Sequence, residues 1–291
     1  MSERRPILPM GLMIPSLLLV LWIIGYPLYD LLIMSVHSVD RFAQVGGFVG
    51  SANFQKLFAD PLFWASFWRT CIWSTFVTLG AIALSLPVAI LLSQDFPGRS
   101  IARVIVLCPW AISASMFGVV WRWALNGNGG VVNAVLMELG LTKEPIYFLA
   151  TSDLAFPIAI AVGILAVVPL TVIIFLAGLA SIQDDLYDAA RIDGASSFST
   201  FTNITLPLLK PFLNIAIVIN IIYSFNSFAI VWVLTQGGPA NSTDILVTYL
   251  YKMAFQFGRI DQAAAMSIIM FGFLLALITL YARFAMKERV T

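Results

Sequence analysis

The sequence predicts an all-α membrane protein with six transmembrane helices, and three observations carry that prediction. Of 291 residues, 60% are hydrophobic and 11% charged, with a mean hydropathy of +0.94; such a chain is too apolar to hide its surface in one water-soluble core. A helix needs roughly 20 mostly apolar residues to cross about 30 Å of hydrocarbon, and six runs reach that length: residues 10–36, 67–92, 101–125, 154–179, 212–234 and 263–284. Each run is continuously apolar, unlike the strands of outer-membrane barrels, which alternate and are only about 10 residues long.

The first run is too long, and lacks the small-residue cleavage site, to read as a removable signal peptide, so it is expected to be a retained helix. His37 closes it, with no Cys, His or carboxylate cluster nearby, and reads as interfacial. Residues 1–66 form a tail, first helix and first external loop, and 67–291 a core of five helices with a polar loop at 181–210. Cys71 and Cys108 fall in apolar surroundings in the second and third runs, a placement that suits packing rather than a disulfide or metal site. Pro27, Pro87, Pro109, Pro157, Pro169 and Pro211 lie in or beside the runs. Kinks are expected there, with neighbouring helices satisfying the freed carbonyls.

Orientation follows from the basic residues near helix ends, which are retained preferentially in the cytoplasm. With the N-terminus inside, the cytoplasmic set is Arg4, Arg5, Arg99, Arg103, Arg191, Lys210, Arg283, Lys287 and Arg289; the opposite set is Arg41, Lys56, Arg69, Lys143, Lys252 and Arg259. Nine against six puts both termini and the 181–210 loop in the cytoplasm. Arg122, between Trp121 and Trp123, reads as an interfacial guanidinium in an aromatic belt.

No P-loop, G-x-S-x-G or H-E-x-x-H is present, so the chain carries no nucleotide, hydrolase or zinc-protease motif. A net charge of +1 without a basic patch argues against nucleic acid. An intramembrane enzyme would need a Ser-His, paired-Asp or metal-ligand set within the spans, and none is read there. The centres of the runs are read as free of Asp, Glu, Lys and Arg, which counts against an ion-gradient-driven secondary transporter.

The most informative segment is polar and lies between the fourth and fifth runs. It reads Asp188-Ala189-Ala190, three residues, Gly194, nine residues, then Ile204-Thr205-Leu206-Pro207. Locally it predicts a short helix over 181–191, capped by Ser181 with Asp184 at the third position and favoured by Ala189 and Ala190. Gly194 permits a turn that a side chain would penalise. A second short helix is expected over 197–203 before Pro207 opens the next span from its first turn. Asp184, Asp185, Asp188 and Asp193 outweigh Arg191 and Lys210, and residues 189, 190, 194 and 195 are small. An acidic, small-residue shelf suits docking into a groove of complementary charge.

That spacing resembles the EAA loop by which membrane subunits of ATP-binding-cassette importers grip their ATPases. The resemblance implies the type I importer permease fold, with a coupling helix whose contact residues are Asp188, Ala189, Ala190, Gly194 and Ala195, and a return set by Ile204, Leu206 and Pro207. Asp188 stands where the family usually has Glu, one methylene longer. Further segments are similar to the carbohydrate branch, as in maltose, glycerol-phosphate and multiple-sugar permeases. They are Leu234-Thr235-Gln236-Gly237-Gly238-Pro239 with Thr243, Leu246, Tyr249 and Tyr251, Leu107-Cys108-Pro109 through Asn126, Gly130 and Asn133, and Asn53-Phe54 with Leu57-Phe58.

A permease of this kind implies a second homologous permease, two ATPase subunits, an external solute-binding protein and a prokaryotic plasma (inner) membrane. ATP and Mg would be used by the ATPases; this chain is expected to bind no cofactor or metal and to have no catalytic site of its own. For the substrate path, Asn220, Tyr223, Ser224 and Ser227 share one helix face in the fifth run, with Asn226 beside it. Amides, hydroxyls and an aromatic ring suit a neutral sugar, although such residues also serve as packing glue between helices. Permeases for a glycerol phosphate, an amino acid or a peptide are the nearest alternatives.

Overall fold

The computed structural model describes residues 7–287, with side-chain surroundings for 13–283; Arg4, Arg5 and Arg289 of the charge count lie outside the described residues. The chain forms two compact units, one of residues 1–63 with 250–273 and one of 64–249 with 274–291.

The first unit begins with α1 (Ile7–Val20) and α2 (Tyr26–Val36), joined without a break by a π turn at Leu21–Gly25. The π turn comes two residues before Pro27. Proline has no N–H and its ring presses on the carbonyl four residues back, so the helix widens rather than kinks. Asp30 lies within this span, toward Val36, the one acid that the reading of uncharged span centres passed over. A small hairpin then departs from the all-α expectation: β1 (His37–Val39) pairs antiparallel with β2 (Val45–Phe48). Asp40 closes its turn by accepting from the backbone N–H groups of Phe42 and Gln44, both at 2.9 Å. In α3 (Ala52–Phe58), buried Asn53 donates to the carbonyls of Ser35 and His37 at 3.0 and 2.8 Å, tying the hairpin to the helix end.

The second unit is built on α4 (Pro61–Ser93), α5 (Arg99–Leu107), α6 (Ala114–Ala124), α7 (Val131–Glu138), α8 (Ser152–Ala180), α9 (Asp184–Ile192), α10 (Ser197–Thr200), α11 (Leu206–Phe225) and α12 (Phe228–Thr235). The chain continues through α13 (Leu246–Tyr251), a π turn at Lys252–Gln256 and α14 (Ile260–Lys287). Among the described residues five helices are long and apolar enough to cross a membrane, and six if α5 and α6, which meet at a bend, are taken as one span. Arg69 and Lys210 lie on helices because α4 and α11 run past their apolar cores.

Close helix approach makes the core. Trp73 and Val77 of α4 meet Ala159, Val162 and Gly163 of α8; a Cβ added at Gly163 would sit 2.8 Å from the Trp73 ring. Small residues let backbones approach where lipid supplies no hydrophobic drive between helices. The Trp73 indole N–H donates to the Ser224 carbonyl at 3.0 Å, so α11 joins the same contact.

Two expected spans are broken. The third run, expected as one helix over 101–125, bends by 100° between α5 and α6. Pro109 withdraws a donor and turns the chain into a 3₁₀ turn at Cys108–Ala111, Ile112 is extended, and Ser113 caps α6 by accepting from the Met116 N–H at 3.2 Å. The fifth run, expected over 212–234, stops at Phe225 and restarts at Phe228. There the Asn226 amide donates to the Ile222 carbonyl and the Ser227 hydroxyl to the Tyr223 carbonyl, both at 3.0 Å. These side chains add donors to carbonyls of the last turn, Ile222 also accepting from the Asn226 N–H at 3.3 Å.

Candidate functional site

The acidic loop folds as a helix, a glycine turn and a second helix. Its first helix, α9, starts at Asp184 rather than 181, and Gln183 at its N-cap makes no side-chain bond. Ser181 instead donates back to the Gly178 carbonyl at 2.7 Å, finishing α8. The expected capping role of Ser181 is therefore corrected: α8 runs on to Ala180 and its last carbonyls claim the hydroxyl. Asp184 and Asp185 sit in the first turn of α9, where carboxylates favour the positive end of the helix dipole.

Gly194 ends α9 at φ +71°. Its N–H bonds the Arg191 carbonyl at 3.1 Å, and the Ala195 N–H bonds the Ala190 carbonyl at 2.9 Å. That pair of bonds is a Schellman motif, in which the residue after the cap takes the left-handed conformation that glycine adopts without strain. A Cβ at Gly194 would meet nothing within 4 Å, so the constraint is backbone conformation rather than space. Ser196 then caps α10, accepting from the Ser199 N–H at 3.2 Å.

From α10 the helix continues through a π turn at Phe201–Thr205 into α11, so that Ser197–Phe225 is one span. Pro207 thus lies inside a continuous helix and does not open one, because the π turn before it removes the clash with the preceding turn, as at Pro27. The Tyr187 hydroxyl lies 3.2 Å from the Thr205 hydroxyl, and Thr205 is buried. The first helix of the shelf is thereby latched to the base of the second.

The predicted contact residues divide by exposure. Asp188, Ala189, Gly194 and Ala195 face out; Ala190 is buried against its own chain; Ile204 is half-buried; Leu206 and Pro207 are exposed on the return. Asp188 pairs with Arg191 at 2.9 Å, with both side chains mostly exposed. Such a pair holds weakly and can exchange partners. Sequence reading missed Ile192 and Phe198, which are 86% and 77% exposed on either side of the glycine turn. Their signal was present: they are large apolar residues at the two ends of the run Asp193-Gly194-Ala195-Ser196-Ser197.

The five polar residues read as a path do not share one environment. Asn220 is fully buried and exchanges hydrogen bonds with the Thr171 hydroxyl of α8 at 3.0–3.1 Å. Ser224 is fully buried, its hydroxyl on the Ile221 carbonyl at 3.1 Å. Tyr223, Asn226 and Ser227 line a cavity of about 250 Å³ together with Pro109, Trp110 and Ile112. Both helix breaks open onto that cavity.

Comparison with known proteins agrees with this architecture. Residues 81–287 match the family model described as a binding-protein-dependent transport system inner membrane component. The chain is 53% identical over 281 residues to a probable ABC transporter permease protein of Brucella suis biovar 1, with 97% of each chain covered. It is 33% identical over 275 residues to the trehalose/maltose transport system permease protein MalF of Thermococcus litoralis, covering 94% of this chain and 91% of that one. A chain in the crystal structure of a bacterial ABC transporter involved in the import of the acidic polysaccharide alginate superposes with a TM-score of 0.85 at 25% identity, covering 98% of this chain and 96% of that one. Broken apolar helices, a latched glycine shelf and a match over most of the length lead to one assignment: the chain belongs to the family of binding-protein-dependent transport system inner membrane components, with the permease fold of type I ABC importers.

Proposed function

We propose that this chain forms half of the translocation pore of an ATP-driven importer for a carbohydrate delivered by an external solute-binding protein. A second homologous permease completes the pore, and two ATPase subunits supply ATP and Mg chemistry; this chain binds neither and has no catalytic site. Both termini and the shelf face the cytoplasm, as the distribution of Lys and Arg favours.

The observation that carries the coupling is the exposed pair Ile192 and Phe198 on a shelf continuous with a membrane helix. Apolar side chains left in water among carboxylates suit an apolar cleft with a basic rim. Because α10 runs unbroken into α11, a push on Phe198 reaches the Tyr223–Ser227 break through one helix. ATP-driven closure of the ATPases would thus move the lining of the pore.

The cavity between the helix breaks supports the carbohydrate reading. Interrupted helices carry substrate sites near mid-membrane in many transporters, and here the Tyr223 ring can stack on a sugar face while Asn226 and Ser227 address hydroxyls. The trehalose/maltose and alginate systems among the similar proteins favour the same substrate class. Asn220 and Ser224, being buried, act in this proposal by fixing the helix that presents Tyr223.

The test is co-purification of the chain with its partners in nanodiscs, followed by ATPase activity with and without the binding protein loaded with trehalose, maltose or alginate oligosaccharide. Stimulation by a sugar-loaded protein is expected. Failure of any ATPase to associate with folded permease would overturn the coupling, and stimulation only by an amino acid or glycerol phosphate would overturn the substrate class.

A further inference from the structure

We infer that Arg99 and Arg103, together with an apolar cavity beside the bend between α5 and α6, hold one anionic phospholipid, its headgroup on the arginines and an acyl chain in the cavity. The cavity measures about 730 Å³ and is lined by Val88 of α4, Ile105 and Val106 of α5, Val120 of α6 and Leu165 and Val168 of α8, among others. Among the described residues that line it, none carries a charge, an amide or a hydroxyl.

A helix end brings the two arginines together. After α4 finishes at Ser93 and α5 starts at Arg99, the Arg99 Nε and an Arg103 Nη both donate to the Leu92 carbonyl, at 2.9 and 3.1 Å. One arginine would serve the last carbonyls of a helix. Two on one oxygen set like charges side by side at the end of a span, where lipid headgroups lie. Among the described residues their one ion pair joins Arg99 to Asp95, whose side chain is 96% exposed; such a pair holds weakly. The Arg103 Nε is buried and has no acceptor among the described residues. Convergent guanidinium groups with donors to spare suit a phosphate, whose oxygens take forked bonds. Gly98 offers the first turn of α5 no side-chain acceptor, and the positive end of that helix dipole favours the same anion.

Arginines and cavity lie about one helical turn apart. Val88 is one turn before Leu92 on α4, and Val106 one turn beyond Arg103 on α5, so the cavity begins roughly 5 Å deeper along both helices. Ile101, Val104 and Ile105, each 66–68% exposed, continue an apolar face beside it. A sugar in this lining would leave its hydroxyls unpaired, and water would lack the polar partners it needs. Hydrocarbon is the occupant that fits, and the arginines select a lipid of net negative charge over a zwitterionic one. Pro109, Ile112 and Phe117 line this cavity and the one between the helix breaks. The acyl chain therefore touches the same bend as the proposed sugar path.

The test is native mass spectrometry of the complete importer, stripped of lipid in detergent and titrated with phosphatidylglycerol or with phosphatidylcholine of the same acyl chains. Comparison with a variant of this chain alone isolates its site from lipid held by other subunits. Arg99→Gln with Arg103→Gln should lose one tightly held phosphatidylglycerol, its apparent Kd rising about tenfold, while phosphatidylcholine binding stays as in the wild type. Arg99→Lys with Arg103→Lys, which keeps both charges, should retain most of the binding. A loss equal to that of the glutamine variant would make the arginines a helix cap only. Cys108→Phe, which fills part of the cavity from an exposed position, should weaken phosphatidylglycerol about fourfold, as leaving one CH2 group unburied would. Equal retention of both lipids by the wild type, unchanged in the glutamine variant, would leave the cavity to unspecific boundary lipid or to the second permease. Displacement of phosphatidylglycerol by inorganic phosphate, with no effect of Cys108→Phe, would reduce the site to an anion contact without a chain. Any of these three results overturns the inference.

Discussion

The glycine shelf and the polar face of α11 both stand out in the sequence as hydrophilic residues at regular spacing, yet the fold treats them in opposite ways. On the shelf, the spacing is the structure. Ala190, Arg191, Gly194 and Ala195 are tied by backbone bonds, and Asp188 to Arg191 by a side-chain ion pair, all within a few residues of one another, so the register can be read before any neighbour is known. On α11, Asn220 and Tyr223 are one turn apart, but one is fully buried and the other is 52% exposed. Helical spacing puts residues on a common face; the packing of α8 and α4 decides where the edge of that face falls. A motif closed by local bonds is legible in one dimension, and a face is not.

Mutations that act on one region and spare the other sharpen the contrast. The largest effect is expected from Ile192→Asp with Phe198→Asp, which should weaken ATPase association by more than about tenfold, as loss of central apolar anchors does. Co-purification from nanodiscs measures it, and retention of stoichiometric ATPase would remove the shelf from the interface. Next comes Gly194→Val, which forces a β-branched residue into the left-handed region at about 1–2 kcal/mol. Membrane insertion should survive and coupled transport fall, whereas Gly194→Asn, which tolerates that conformation, should keep most activity. Equal activity in both would mean the Schellman turn is not the essential feature.

Smaller effects are expected on α11. Asn220→Leu removes a bond between helices worth about 1 kcal/mol in membranes. The melting temperature in detergent should drop modestly while sugar preference stays the same. A changed preference would return Asn220 to the path. Tyr223→Ala should do the reverse, altering the KM for sugar about threefold with ATPase binding and melting temperature retained. If Asn220 and Tyr223 variants behaved alike, the division of this face by packing would be wrong.

The sequence also showed where helices would lie better than where they would break. Continuous apolar length located the membrane helices, because crossing hydrocarbon sets a minimum that few other segments meet. Pro109 signalled a kink but not a 100° bend, since a proline can be absorbed by a widened turn, as Pro207 and Pro27 are. The break at Asn226 carried no glycine or proline at all. Its residues looked like ligands for a sugar, and two of their side chains first serve the helix end itself. Ile192 and Phe198 escaped notice because reading the loop for its charges and small residues gave their exposure no weight.

By itself the sequence determined the helical membrane class, the approximate spans and the register of the shelf, all of which depend on hydrophobic length or on bonds between near neighbours. Only the tertiary structure decided that Ser197–Phe225 is one helix, that Thr171 takes Asn220 into the core, and that two distant helix breaks meet at one cavity. Those outcomes depend on which helix lies against which, and no residue carries that information without its neighbours.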